Sequence, residues 1–142
     1  MDFERELIER LNENRLYQTL GLRVTDTGPG FAVSRMSAPE PLCWPRVGQP
    51  HGGIVFTQVD TTMATAVMTL LEPVQRCATV SVDIQYPSPA EGPYLQCEAR
   101  TTHRGRRMVF VQAETRAPDN RLVVLAQASF RVFSHHHGVD LV

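Results

Sequence analysis

An aspartate alone in a long uncharged run, eight residues after the first glycine of a His-Gly-Gly triplet, holds more potential chemistry than any other feature of this 142-residue chain. From Gly52 to Leu71 no proline intervenes, Ala, Met and Leu recur, apolar residues fall nearly all round, and Asp60 is the only acidic or basic residue. Such a run reads as a helix enclosed by other structure. A carboxylate enclosed there costs on the order of several kcal/mol unless it is paired, hydrated or put to chemical use. Asp60 is therefore a candidate nucleophile or general base; the plainer alternative is a buried Asp satisfied by backbone or by a neighbour such as Thr61. His51-Gly52-Gly53 stands where a loop meets this helix. Glycines there let a ligand approach the N–H groups that every helix N-terminus leaves unpaired, which suits an oxyanion. The glycines are also explained by turn-making alone.

The spacing carries a further consequence. Eight residues at 1.5 Å each put Gly52 and Asp60 roughly 12 Å apart along one helix axis, whereas a reacting carbonyl sits about 3 Å from its oxyanion donors and within reach of its nucleophile or base. One helix cannot bring both groups to one carbonyl. Two helices packed antiparallel across a two-fold axis can, each lending its N-terminus to the other's aspartate. If both groups are catalytic, the expectation is an obligate homodimer with paired sites, with a dimer of dimers also open.

These residues need a scaffold, and the rest of the chain supplies a pattern for one. Phe3, Leu7, Ile8 and Leu11 form one stripe of an N-terminal helix within residues 1–18, with Asp2 as N-cap. Leu20 to Thr25 and Phe31 to Ser37 are extended runs joined by Thr27-Gly28-Pro29-Gly30. Ala38 to Pro50 holds four prolines and the only tryptophan and reads as a loop. After Glu72-Pro73 the period becomes two: Val80, Val82, Ile84 and Tyr86 alternate with Thr79, Ser81, Asp83 and Gln85, predicting a strand with the first set buried. Further strands follow at about Tyr94 to Thr101, Met108 to Thr115 and Leu122 to Val132. The order predicts a single α+β domain over residues 1–142, an antiparallel sheet around one central helix, with residues 134–142 as a flexible tail.

Composition excludes several classes. Fourteen basic residues, all Arg, nearly balance fifteen acidic ones, so no global field draws the chain to nucleic acid or anionic membrane. The charged start Met1-Asp2-Phe3-Glu4-Arg5-Glu6 is unlike a signal peptide, and Cys43, Cys77 and Cys97 have no disulfide, metal or redox spacing. The expectation is a soluble cytoplasmic protein without metal or redox cofactor. His135-His136-His137 does not change this, because three consecutive side chains of an extended tail diverge.

Three segments in order resemble the hotdog-fold thioesterases of the phenylacetyl-CoA and hydroxybenzoyl-CoA thioesterase group: His51-Gly52-Gly53 with Asp60 after six residues, the stretch Thr79 to Ala90 with its aromatic-x-x-Pro turn, and Gly105-Arg106-Arg107. The resemblance spans about residues 20 to 133. It implies a hotdog fold and hydrolysis of an acyl-CoA to free carboxylic acid and coenzyme A. It further implies Asp60 as the catalytic carboxylate, the partner's copy of Gly52 polarising the carbonyl, His51 shaping the helix entrance, and Thr79 near the attacking water. Substrate contacts are then expected from Gly53 and from the cationic turn Arg104, Gly105, Arg106, Arg107, which composition alone reads as a solvated hairpin tip. One position departs: relatives carry Asn or Gln six residues before the motif His, where this chain has Pro45, and Gln49 is the nearest amide. That departure motivates the alternative, a hotdog protein that binds acyl-CoA or another apolar ligand without turnover. Hotdog dehydratase chemistry is disfavoured, since no His follows within Thr61-Thr62-Met63-Ala64-Thr65.

Overall fold

The computed structural model describes residues 3–134; Asp2, the histidine triplet and the predicted tail beyond Ser134 lie outside the described residues. The N-terminal segment forms two helices rather than one, α1 (Phe3–Asn12) and α2 (Arg15–Leu20). Two asparagines cause the break. Asn14 takes the N-cap position of α2, its side-chain oxygen accepting the Leu16 N–H at 2.9 Å. Asn12 reaches the first strand, donating to the Val24 carbonyl at 2.9 Å and accepting the Val24 N–H at 2.8 Å.

Strands β1 (Leu22–Gly28) and β2 (Phe31–Met36) make the first hairpin; helix α3 (Gly52–Met68) follows the proline-rich loop, then β3 (Gln75–Gln85), β4 (Leu95–Arg104), β5 (Met108–Arg116) and β6 (Leu122–Ser134). All six strands join one antiparallel sheet in the order β1, β2, β4, β5, β6, β3. Strands β4, β5 and β6 pair in succession as hairpins, while β3 lies beside β6, so the eleven-residue β3 ends the sheet with one edge unpaired among the described residues. None of the helices is long and apolar enough to cross a membrane.

The sheet curls round α3, and the core lies between them. Val55, Val59, Met63, Ala66 and Val67 of the helix are fully buried against Leu95, Val109, Val111, Val124 and Phe130; a buried side chain of this size contributes about 1.5–3 kcal/mol. Gly30 donates its N–H to the Thr69 hydroxyl at 2.8 Å, tying the first hairpin to the end of α3. The expected full enclosure of the helix is not met within one chain. Gly52 and Gly53 are exposed, and Thr57, Asp60, Ala64 and Met68, which continue that stripe at helical spacing, are half-buried. The reason is the sheet's finite width: it ends at β3 before it reaches round this face.

Candidate active site

Asp60 sits in the middle of α3 on this half-open face, and its side chain is held from the sheet. The Thr79 hydroxyl donates to Asp60 Oδ1 at 2.8 Å. The resemblance sets Thr79 near the attacking water, although strict alternation with Val80 and Val82 would turn it away. A β-bulge decides otherwise: Thr79 pairs with Phe130 but Ser81 with Ser129, so Val80 is the extra residue. The shift turns Thr79 inward with Cys77, leaves Val82 and Ile84 packed on the core, and puts Val80, expected in the buried set, 58% exposed. Thr61 does not satisfy Asp60 as the plainer alternative proposed; its hydroxyl donates to the Thr57 and Gln58 carbonyls at 2.8 and 3.1 Å. Asp60 Oδ2 has no hydrogen bond among the described residues.

Two neighbours of Asp60 register its charge. Burial, with an added push from the Asp60 charge, raises the Cys77 thiol above its ordinary pKa. Burial likewise raises the Tyr17 phenol, opposed by hydrogen bonds with Thr65 and Thr61 and reinforced by Asp60. Tyr17, from α2, is thus a neighbour of Asp60 that sequence reasoning missed. Its only signal was a tyrosine on the short N-terminal helix, whose docking site no periodicity reveals.

At the other end of α3, His51 is the N-cap, and its Nδ1 accepts the Gly53 N–H at 2.9 Å. An acceptor Nδ1 leaves the ring proton of a neutral imidazole on Nε2. The His51 carbonyl takes the Ile54 and Val55 N–H groups at 2.8 and 3.1 Å. Of the first-turn amides this leaves the exposed Gly52 N–H as the one without a partner among the described residues. Tyr86 steadies it from behind, donating its hydroxyl to the Gly52 carbonyl at 2.8 Å; a Cβ on Gly52 would lie 3.8 Å from that ring. The sequence pattern puts Tyr86 on the apolar face of its strand and in the aromatic-x-x-Pro turn; the side chain is 45% exposed and serves the helix entrance instead. Gly53 has a structural use here: its amide is spent on the cap, and an added Cβ would meet His51 Nδ1 at 3.2 Å. Trp44 tilts over His51 with ring centroids 6.1 Å apart. Gln49, half-buried, closes the loop through its backbone, its carbonyl accepting Trp44 N–H at 2.9 Å and its N–H donating to the Arg46 carbonyl at 3.2 Å.

The cationic turn forms a third group. Gly105 closes the β4–β5 hairpin by donating to the Met108 carbonyl at 2.8 Å, and a Cβ there would come within 2.9 Å of that oxygen. Arg104 ends β4, and Arg106 and Arg107 are exposed beside a cleft of about 480 Å³ that also takes in Arg131 and Gln75. None of these four arginines forms an ion pair among the described residues. Arg131 had escaped notice because it is one outward residue of a long alternating strand, brought to the turn by its pairing with Met108.

One chain thus joins Asp60 to Thr79, and His51 to Gly52 and Gly53, but it leaves the aspartate and the free amide at different heights of the same helix. Residues 48–124 match the family described as the thioesterase superfamily. A curated Halobacterium salinarum protein with an esterase name is 30% identical over 133 residues, covering 87% of each chain. Among solved structures, a Ralstonia eutropha protein whose name links it to thioesterases and phenylacetic acid degradation is 28% identical, covers 89% of this chain and 96% of its own, and superposes with a TM-score of 0.78. A Haemophilus influenzae thioesterase, 20% identical with 97% of both chains covered, superposes with a TM-score of 0.85 and shares the fold.

Proposed function

The chain belongs to the thioesterase superfamily and has its hotdog fold, and on that premise we propose that it hydrolyses acyl-CoA thioesters to a free carboxylic acid and coenzyme A, at sites that two copies build together. The observation that carries this reading is the pairing of one unpartnered helix-N-terminal amide, Gly52, with a carboxylate held by Thr79 roughly 12 Å further along the same helix. On this reading a second copy covers the unpaired edge of β3 and the half-open stripe of α3, and its Gly52 comes to lie opposite Asp60; the free edge and the open stripe support it.

In that arrangement the thioester carbonyl oxygen accepts the Gly52 N–H of the partner subunit. Charge building on this oxygen is the main barrier, because a thiolate leaves readily, and a fixed donor stabilises it without reorganisation. Asp60 either attacks the carbonyl carbon to give a mixed anhydride that water cleaves, or removes a proton from an attacking water. In both routes one water is consumed, the C–S bond breaks, and the thiolate takes up a proton. Thr79 fixes Oδ1, so Oδ2 is the oxygen presented to substrate or water. His51 sets the helix entrance through its cap, and Tyr86 fixes the Gly52 peptide. Arg104, Arg106 and Arg107, with Arg131 beside them, supply guanidinium groups for the coenzyme A phosphates, and Gln49 and Gly53 border the helix entrance.

A panel of acyl-CoAs assayed by thiol release tests the proposal. Release on at least one acyl group supports it. No release on any, with measurable binding, would replace it with the non-catalytic binder that Pro45 suggests.

A further inference from the structure

The loop that leads into α3 carries Trp44, and its backbone is fixed. Cys43 bridges Pro50 in antiparallel register, the Trp44 N–H donates to the Gln49 carbonyl at 2.9 Å, and the His51 N–H donates to the Leu42 carbonyl at 3.0 Å. Arg46 pairs with Glu91, which lies in the segment that follows Tyr86. Arg121 pins that segment in turn, donating to the Pro89 and Glu91 carbonyls at 2.6 and 2.9 Å. The loop with Trp44 and the strand end with Tyr86 are thus tied into one frame at the N-terminus of α3.

Both aromatic side chains of that frame stand at the open amide. Tyr86 bonds to the Gly52 carbonyl, and its ring lies 3.8 Å from where a Gly52 Cβ would be. Trp44 lies against the ring of His51, the residue just before Gly52, with 67% of its surface exposed. A large ring held by its backbone while most of it meets water is preorganised for contact, because little freedom is left to lose on binding. The Trp44 N–H is spent on Gln49 and Pro45 has none. What these two residues add beside the Gly52 N–H is therefore apolar surface and not a second donor. A thioester whose oxygen accepts that N–H carries carbon on one side of the carbonyl and sulfur on the other, and both pack well on an aromatic ring. Excluding water there strengthens the hydrogen bond to the carbonyl oxygen.

We propose that Trp44 is a substrate-contacting residue: its ring covers the thioester held on the Gly52 N–H and keeps water from that hydrogen bond. The inference rests on the function proposed above. The competing occupant is a second copy of the chain, and the first measurement separates the two.

Trp44 is the only tryptophan, so its emission reports on this spot alone. Acrylamide quenching is measured in Asp60→Asn, in which a thioester should persist, with acetyl-, octanoyl- and benzoyl-CoA in turn and with adenosine 3′,5′-bisphosphate, the nucleotide end of coenzyme A without a thioester. Without ligand the ring should be freely quenched; shielding already present there places it under a second copy and overturns the proposal. At least one thioester should lower the quenching constant about twofold or more, and the bisphosphate should not. No shielding under any thioester, or equal shielding under the bisphosphate, overturns it. In the second measurement, kcat/KM for the thioester that the unaltered protein hydrolyses fastest should fall about tenfold or more in Trp44→Ala and stay within about threefold in Trp44→Phe, which keeps a ring in place. The urea midpoint should hold in both, since a ring so exposed supports little packing. Equal losses in the two variants, no loss in either, or a loss that follows the urea midpoint overturns the contact. If thioesters shield Trp44 yet none is hydrolysed, the hydrolase reading fails and the contact stands; hydrolysis without shielding is the reverse.

Discussion

At the scale of single residues, the site turns on a carboxylate with one oxygen occupied and one open. Asp60→Asn keeps the shape and the Thr79 contact but removes the charge that attacks or accepts a proton. Turnover should fall by at least about a thousandfold while the chain stays folded and dimeric by sedimentation. Thr79→Val keeps the volume and removes only the donor; a hydrogen bond to a charged group is worth about 1.5–3 kcal/mol, so kcat should drop about tenfold or more with little change in KM. A third outcome reads the field of Asp60 directly. Burial and then the Asp60 charge hold the Cys77 thiol above its ordinary pKa, so little thiolate exists at neutral pH and reactivity climbs as pH rises. Removing the charge lowers that pKa. Asp60→Asn should therefore be alkylated at Cys77 faster than the unaltered protein at any given pH below full ionisation, measured without ligand.

At the scale of elements, the N-terminus of α3 shows how capping and chemistry share one set of amides. Three first-turn N–H groups are taken by His51, two by its carbonyl and one by its ring, and that occupancy singles out Gly52. His51→Ala should cost about 1 kcal/mol in urea unfolding, as for other lost N-caps, and should lower activity further by leaving Gly53 to compete for the same ligand. The bulge in β3 does comparable work on the opposite wall. Hydrophobic alternation located the strand correctly, yet it assigned Thr79 to the wrong face, because one extra residue inverts the alternation on one side of it. The N-terminal helix likewise split in two at Asn14, since the apolar stripe is blind to a side chain that caps a second helix.

At the scale of the whole molecule, the distance between Gly52 and Asp60 makes assembly part of the proposed catalysis. Gly52→Pro suits the first helical position, and His51 already has the extended backbone that a following proline requires, at φ −54° and ψ 142°. The substitution therefore deletes the N–H with little damage to the helix. Gly52→Pro and Asp60→Ala should each be inactive alone. Co-refolded in equal amounts, they should recover about a quarter of the unaltered activity, since half the dimers are mixed and each holds one intact site of two. No recovery from folded mixed dimers would mean that each chain works alone.

The sequence by itself determined the strand and helix order, the family, and the isolation of Asp60, because these follow from periodicity, turn residues and charge, all of which are local. It also set the 12 Å separation along the helix, since helical rise does not depend on context. Only the tertiary structure decided which groups meet. Thr79 reaches Asp60 through a bulge, Tyr86 reaches Gly52 across 34 positions of chain, Tyr17 approaches Asp60 from a separately capped helix, and Arg131 joins the cationic turn through its strand pairing. These are register and docking outcomes, set by how the sheet curls and where it ends. The same free edge and half-open helix face raise at the level of packing the question that the lone aspartate first raised: what lies opposite it.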